Sequence, residues 1–224
     1  SERVNVLAKA FIAAGFSKGD RVGIWSTNNM EWVATQYATA KAGIILVTIN
    51  PAYRVHELAY VLEQSGCKGL VLQSQFKTSD YEGMIGELCP ELASSDVGNL
   101  TSDKFPNLNH IISMTTSGLS GIYNWEDFLT LADQSGDEDL AKRQFDQDMD
   151  DAINIQYTSG TTGFPKGATL SHHNILNNGH FTADRMNLTP DDRLCVRFPF
   201  ESLFSALAML SIIFSITIIP WFPP

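Results

Sequence analysis

Apolar positions along this chain switch between short buried runs and longer stretches with helical spacing, the alternation that a parallel sheet covered by helices requires. The first stretch predicts a helix from about Val4 to Ala14, stopped by Gly15. Lys18-Gly19-Asp20 then turns the chain into a strand at Arg21 to Trp25. Asn28 or Asn29 can cap a second helix, where Met30, Val33, Ala34, Tyr37 and Ala38 recur at offsets of three and four and so share one face. Gly43 ends that helix, and Ile44 to Ile49 is the next buried strand.

Pro51 prevents smooth continuation of this strand, because it has no N–H to give to a ladder. A helical pattern resumes over Val55 to Leu62, Gly66 follows it, and Gly69 to Leu72 reads as a third strand, completing a βαβ repeat. Between Ser74 and Ser120 the pattern weakens, with Pro90, Pro106 and many Ser, Thr, Asn and Gly residues. Only His110 to Met114 stands out there as a strand, and the rest is expected to be a loop-rich insertion. Trp125 to Ala132 predicts a short helix, and the acidic stretch through Asp151 reads as a surface linker. The expected fold class is α/β, a twisted, mainly parallel sheet with flanking helices.

Composition narrows the function. The chain has 224 residues and 44% hydrophobic content, enough for one large domain or two small ones. A net charge of −10 argues against a nucleic-acid partner, since neutralising phosphates takes clustered Lys and Arg. Cys67, Cys89 and Cys195 are far apart and lack CxxC spacing, which suggests neither a disulfide framework nor a zinc site and fits a reducing compartment. The chain opens on Ser1 with no leader pattern, so any targeting peptide is expected to lie upstream. Asn99 and Asn187 begin short glycosylation sequons, discounted because nothing indicates secretion.

The candidate chemistry lies further along. Ile153 to Tyr157 alternates as a strand, and Thr158 to Gly167 then packs four hydroxyls, three glycines and one lysine into ten residues. Glycines let backbone N–H groups approach an anion, the hydroxyls of Thr158, Ser159, Thr161 and Thr162 can donate to phosphate oxygens, and Lys166 adds a mobile positive charge. The string is not a Walker A loop, because Lys166 follows Pro165 and precedes Gly167. On composition alone, a polar turn without a ligand remains the alternative.

The whole segment Tyr157 to Gly167, YTSGTTGFPKG, resembles residue for residue the phosphate-loop signature of the AMP-forming adenylate superfamily, which holds acyl-CoA synthetases, luciferases and peptide-synthetase adenylation domains. Ala40 to Tyr53, AKAGIILVTINPAY, resembles an early helix-to-strand segment of the same superfamily. With ATLSHHNILNN at Ala168 to Asn178, the likeness is greatest to mitochondrial medium-chain acyl-CoA synthetases and covers about Arg3 to Arg193.

The resemblance implies a fatty acid as substrate, ATP, magnesium and CoA as cofactors, and a mitochondrial location. It implies two half-reactions, in which a carboxylate attacks the α-phosphorus of ATP and CoA thiol then displaces AMP. The phosphate-binding residues it implies are Thr158, Ser159, Gly160, Thr161, Thr162, Gly163, Lys166 and Gly167. It also implies a division into residues 1–193, part of the family's N-terminal domain, and a divergent apolar segment, 194–224.

In that segment RFPFESLFSALAML stands where the family pattern would continue as Pro-Leu-Phe-His, with Glu201 replacing an aromatic or leucine and no histidine following. The superfamily's Tyr-Gly-x-Thr-Glu segment, ribose-binding aspartate and adenylation lysine are expected beyond Pro224. The chain alone is therefore expected to be the front part of such a ligase, or else a non-catalytic product with a partner-binding or membrane-associated role. Ser202 to Ile219 just reaches the length of a membrane span, but Ser and Thr interrupt it, Pro220 ends it, and a buried helix plus strand is preferred. His172 and His173 are read as helix-start or surface residues with no carboxylate spaced to serve them.

Overall fold

The computed structural model describes residues 2–158, 165–196 and 217–220. In chain order the first elements are α1 (Glu2–Ala13), β1 (Arg21–Trp25), α2 (Met30–Ala42), β2 (Ile45–Ile49), α3 (Val55–Ser65) and β3 (Gly69–Leu72). A short hairpin, β4 (Gln75–Phe76) and β5 (Ser79–Asp80), leads into α4 (Tyr81–Leu88). After these come β6 (His110–Ser113), β7 (Ile122–Asn124), α5 (Trp125–Thr130) and α6 (Asp137–Phe145). The last are β8 (Ala152–Thr158), β9 (Lys166–Ser171), α7 (His172–Met186), β10 (Arg193–Val196) and β11 (Thr217–Pro220).

Seven strands form the central sheet in the order β7-β6-β3-β1-β2-β8-β9, parallel except for the β8–β9 hairpin. Strands β1 and β3 fall where the sequence places them, and β2 begins one residue later than expected. Gly43 and Gly66 end α2 and α3 in the left-handed conformation, at φ of 69° and 61°, which costs a glycine nothing. Asn29, rather than Asn28, caps α2 by accepting from the Trp32 N–H at 2.7 Å.

Strand β9 is largely exposed, whereas strands β1, β2, β3 and β6 are buried on both faces. On one, Phe11 of α1 meets Phe16 and Phe128 edge to face, at centroid separations of 5.3 and 5.1 Å, and packs with Val22, Ile24, Leu46 and Val71. On the other, Trp25, Val47, Ile49, Leu70 and Leu72 lie under Leu58, Val61, Tyr81 and Ile85 of α3 and α4.

Three expectations need correction. The 74–120 stretch holds a helix, α4, besides its strand. Its YEGMIGEL sequence has two poor helix formers, Gly83 and Gly86, and it forms because Asp80 caps it at Gly83 N–H and Tyr81 is fully buried.

The acidic linker likewise contains a helix, α6. Asp137, Glu138 and Asp139 occupy its first turn and Lys142 and Arg143 its last, as the helix dipole favours, while Leu140 alone is buried. Arg143 donates to the carbonyls of Ala42 and Phe16 at 3.1 and 3.2 Å, which ties this segment to the ends of two other elements.

The third correction concerns α2, whose expected apolar face is turned partly outward, with Met30 half exposed. Thr35, Gln36 and Thr39 are buried instead. The threonine hydroxyls donate to Glu31 and Thr35 carbonyls one turn back, at 2.7 and 2.9 Å, so their burial leaves neither hydroxyl unpaired.

The expected apolar span falls largely outside the described residues; its last three residues lie in β11 (Thr217–Pro220), parallel to β10. Among the described residues, no helix is long and apolar enough to cross a membrane.

Candidate functional site

Because β8 runs parallel to β2, the hydroxyl-rich loop leaves β8 at the carboxyl edge of the sheet, the edge where parallel α/β sheets take their ligands. The stem of the loop is closed by the antiparallel pairs Tyr157↔Gly167 and Thr158↔Lys166. The structure brings Thr158, Lys166 and Gly167 to one hairpin end, and the Lys166 and Gly167 positions are exposed. Ser159, Gly160, Thr161, Thr162 and Gly163 lie outside the described residues.

Gly167 has a steric reason to be glycine. A Cβ there would stand 3.0 Å from Ile155 Cγ2 and 3.3 Å from Tyr157 Cζ, so its absence lets the Tyr157 ring lie across the neighbouring strand. Burial pushes the Tyr157 phenol up to about 12, with Cys67, Tyr60 and Tyr53 acting in the same direction, so it stays neutral. From the other face, Asn154 Nδ2 donates to Gln36 Oε1 at 3.0 Å, linking β8 to α2 across 118 residues. Asn154 Oδ1 and Thr48 Oγ1 are buried without a hydrogen-bond partner among the described residues.

The neighbouring strand ends are fixed by neutral groups. Trp25 Nε1 donates to the Asn50 carbonyl at 3.2 Å and Tyr81 Oη to the Pro51 carbonyl at 2.5 Å, and the two rings stack 3.7 Å apart. Ser26 Oγ, the Thr27 N–H and Thr27 Oγ1 all donate to Gln73 Oε1 at 2.9 to 3.0 Å, filling the gap between the ends of β1 and β3. That gap is the topological switch point, since the chain goes from β1 outward to β2 and then back across to β3. The sequence offered no signal for Gln36, Tyr60 or Gln73, whose partners lie dozens of residues away.

His172 and His173 begin α7, as expected, at the opposite end of β8 from the loop. Seven strand residues put about 20 Å between them and Thr158. His173 does have a carboxylate, Asp150 at 3.3 Å, contrary to the sequence reading; it comes from the folded acidic segment rather than from any local spacing. His172 Nε2 contacts Gln147 Oε1 at 3.0 Å, and burial, opposed by Asp151 and helped by Lys18, lowers its affinity for a proton. Both histidines therefore tie the acidic segment to α7.

Among the described residues no group of three or more His, Cys, Asp or Glu is placed to hold a metal ion. Cys67 and Cys89 are free and buried, and burial pushes both thiols up to about 11, away from nucleophilic use.

A doubly wound, mainly parallel sheet that sends a glycine- and hydroxyl-rich segment out from its carboxyl edge is an architecture of the α/β class, whose ligands are taken at that edge. The model of the AMP-binding enzyme family matches residues 1–219, and the chain belongs to that family.

YngI of Bacillus subtilis (strain 168), named as an acyl-CoA synthetase, is 42% identical over 200 residues, covering 89% of this chain and 36% of its own length. The mitochondrial medium-chain acyl-CoA ligase ACSF2 of Homo sapiens is 40% identical over 227 residues, covering 97% of this chain and 36% of its own. The chain thus spans about a third of the length of these curated relatives.

ATP-bound MatB from Rhodopseudomonas palustris superposes with a TM-score of 0.72 at 25% identity, over 99% of this chain and 38% of that one. The N-terminal domain of FACL13 from Mycobacterium tuberculosis gives 0.74 at 21% identity, over 98% and 48%, a likeness of fold.

Proposed function

We propose that this chain is the front part of an acyl-CoA ligase that activates a medium-chain or similar carboxylic acid through acyl-AMP. The observation that carries the reading is the loop of residues 158–167, delivered to the carboxyl edge of the sheet with its stem closed at Thr158↔Lys166. The names of the relatives, acyl-CoA synthetase and medium-chain acyl-CoA ligase, support the substrate class. The similarity to MatB, whose structure was solved with ATP bound, supports the nucleotide.

In this reading the substrate carboxylate forms a bond to the α-phosphorus while the bond to the pyrophosphate oxygen breaks. Negative charge then grows on the departing pyrophosphate. N–H and hydroxyl donors from Thr158 to Thr162, with the Lys166 ammonium, would meet that charge in a preorganised array. CoA thiol would next form a thioester at the acyl carbon as AMP leaves. Magnesium would accompany the polyphosphate, although no cluster of metal-ligating side chains among the described residues fits it. A mitochondrial setting rests on the names of the vertebrate relatives, and a tagged complete gene product would locate it.

The test is acid-dependent exchange of labelled pyrophosphate into ATP by the complete gene product. Exchange that requires a fatty acid supports the ligase; no exchange with any acid across chain lengths rejects it.

A partner-binding role for the chain itself is the second reading. It is favoured by a groove of about 490 Å³ lined by Val6, Leu7, Met30, Val33, Tyr37 and Trp125 between α1, α2 and α5. Normal acyl-CoA formation by the 224-residue chain would eliminate it.

A further inference from the structure

The exit of the candidate loop is held from outside the hairpin by a residue that belongs to no motif. Pro165 has no N–H to give to the β8–β9 ladder, so its carbonyl is the one backbone hydrogen-bonding group it has to offer. Tyr60 of α3 takes that carbonyl, donating from its hydroxyl at 3.3 Å across 105 residues of chain. The Tyr60 ring is half-buried and packs with those of Tyr53 and Tyr157 against the core on the α3 side of the sheet. One rung below, the Tyr157 ring lies over Gly167, which presents no Cβ to displace it.

We infer that Tyr60 is a positioning residue for the phosphate loop: by fixing the Pro165 carbonyl it sets the direction in which the next residue, Lys166, enters the site. The inference rests on the ligase reading above. The contact is to a backbone carbonyl and gives Tyr60 no chemical step. It acts by holding the backbone on the carboxyl side of the loop, as Thr158 at the end of β8 holds the other side. A separation of 3.3 Å is long for an O–H···O bond, so the effect of losing it is modest.

The experiment is Tyr60→Phe in the complete gene product, which keeps the ring and its packing and removes only the donor. Pyrophosphate exchange is followed while ATP and fatty acid are varied separately, and thermal unfolding is recorded alongside. The expected result is a KM for ATP raised about three- to tenfold, with the KM for the acid and the unfolding midpoint unchanged. An unchanged KM for ATP overturns the inference. So does a lower midpoint with both KM values shifting together, which would make Tyr60 a packing residue alone. Absence of acid-dependent exchange in the unaltered protein would instead overturn the ligase reading, and this inference with it.

Discussion

The two edges of the sheet are built from different chemistry. Along the amino edge, where the parallel strands begin, charges are paired, Lys68 with Asp20 at 2.7 Å and Lys18 with Asp151 at 2.6 Å, and the His173 ring contacts Asp150 at 3.3 Å. His110 is buried there at the start of β6, beside Lys68 and Asp20. Along the carboxyl edge the ties are mostly amides, hydroxyls and stacked rings: Gln73 with Ser26 and Thr27, Trp25 with Tyr81, and Tyr60 with Pro165, with one carboxylate, Glu82, accepting from the Ser113 and Ser117 hydroxyls at the end of β6. His172 and His173, which invite a catalytic reading, sit on the first edge, and there they join segments. The candidate ligand site is on the second, where hydroxyl and N–H donors can turn to an anion.

The largest effect should come from the carboxyl edge. Lys166→Ala in the complete gene product is expected to slow acid-dependent exchange by roughly 10²- to 10³-fold, about 3 to 4 kcal/mol, with unchanged urea unfolding, because the position is exposed. A large stability loss with intact exchange would reverse the assignment of the two edges.

At the amino edge the corresponding effect is on stability against pH. Burial first, and then Lys68, lower His110 from 6.5 to about 4, with Asp20 opposing. Above pH 6.5 the ring is neutral whether the chain is folded or not. As pH falls from 6.5 toward about 4, the unfolded chain takes up a proton that the folded one refuses, and the folded state loses up to about 3 kcal/mol. His110→Phe should flatten unfolding free energy over that window by about this amount; an unaltered pH profile would contradict the burial argument.

Smaller effects sharpen the contrast. Tyr81→Phe leaves the Pro51 carbonyl without its donor and should cost about 1 to 2 kcal/mol in urea unfolding. His173→Ala should change stability by no more than about 0.5 kcal/mol and leave exchange untouched, since its partner Asp150 is exposed. A loss of exchange in this variant would return the histidine to the functional residues.

Legibility in the sequence followed the same division between local and distant causes. Strands β1 and β3 and the stops at Gly43 and Gly66 were readable because each is set by neighbours within a few residues. Helix α6 was hidden because one buried residue, Leu140, makes no stripe, and α4 because Gly83 and Gly86 argue against a helix that Asp80 and Tyr81 nonetheless hold. The face of α2 was misjudged because Gln36 is buried by a partner 118 residues away. The loop reads in the sequence as a string of residue types suited to phosphate. Its supports, Tyr60 and Asn154, are not legible there, since a tertiary contact leaves no trace in local spacing.

The central claim is that the carboxyl-edge hairpin, and not the charged amino edge, meets the nucleotide. Backbone amide NMR of the 224-residue chain titrated with ATP tests it most directly. Shifts centred on residues 157–167, with those of 149–152 and 172–174 unmoved, are the predicted result. Shifts centred on the amino edge, or none at all, would contradict it.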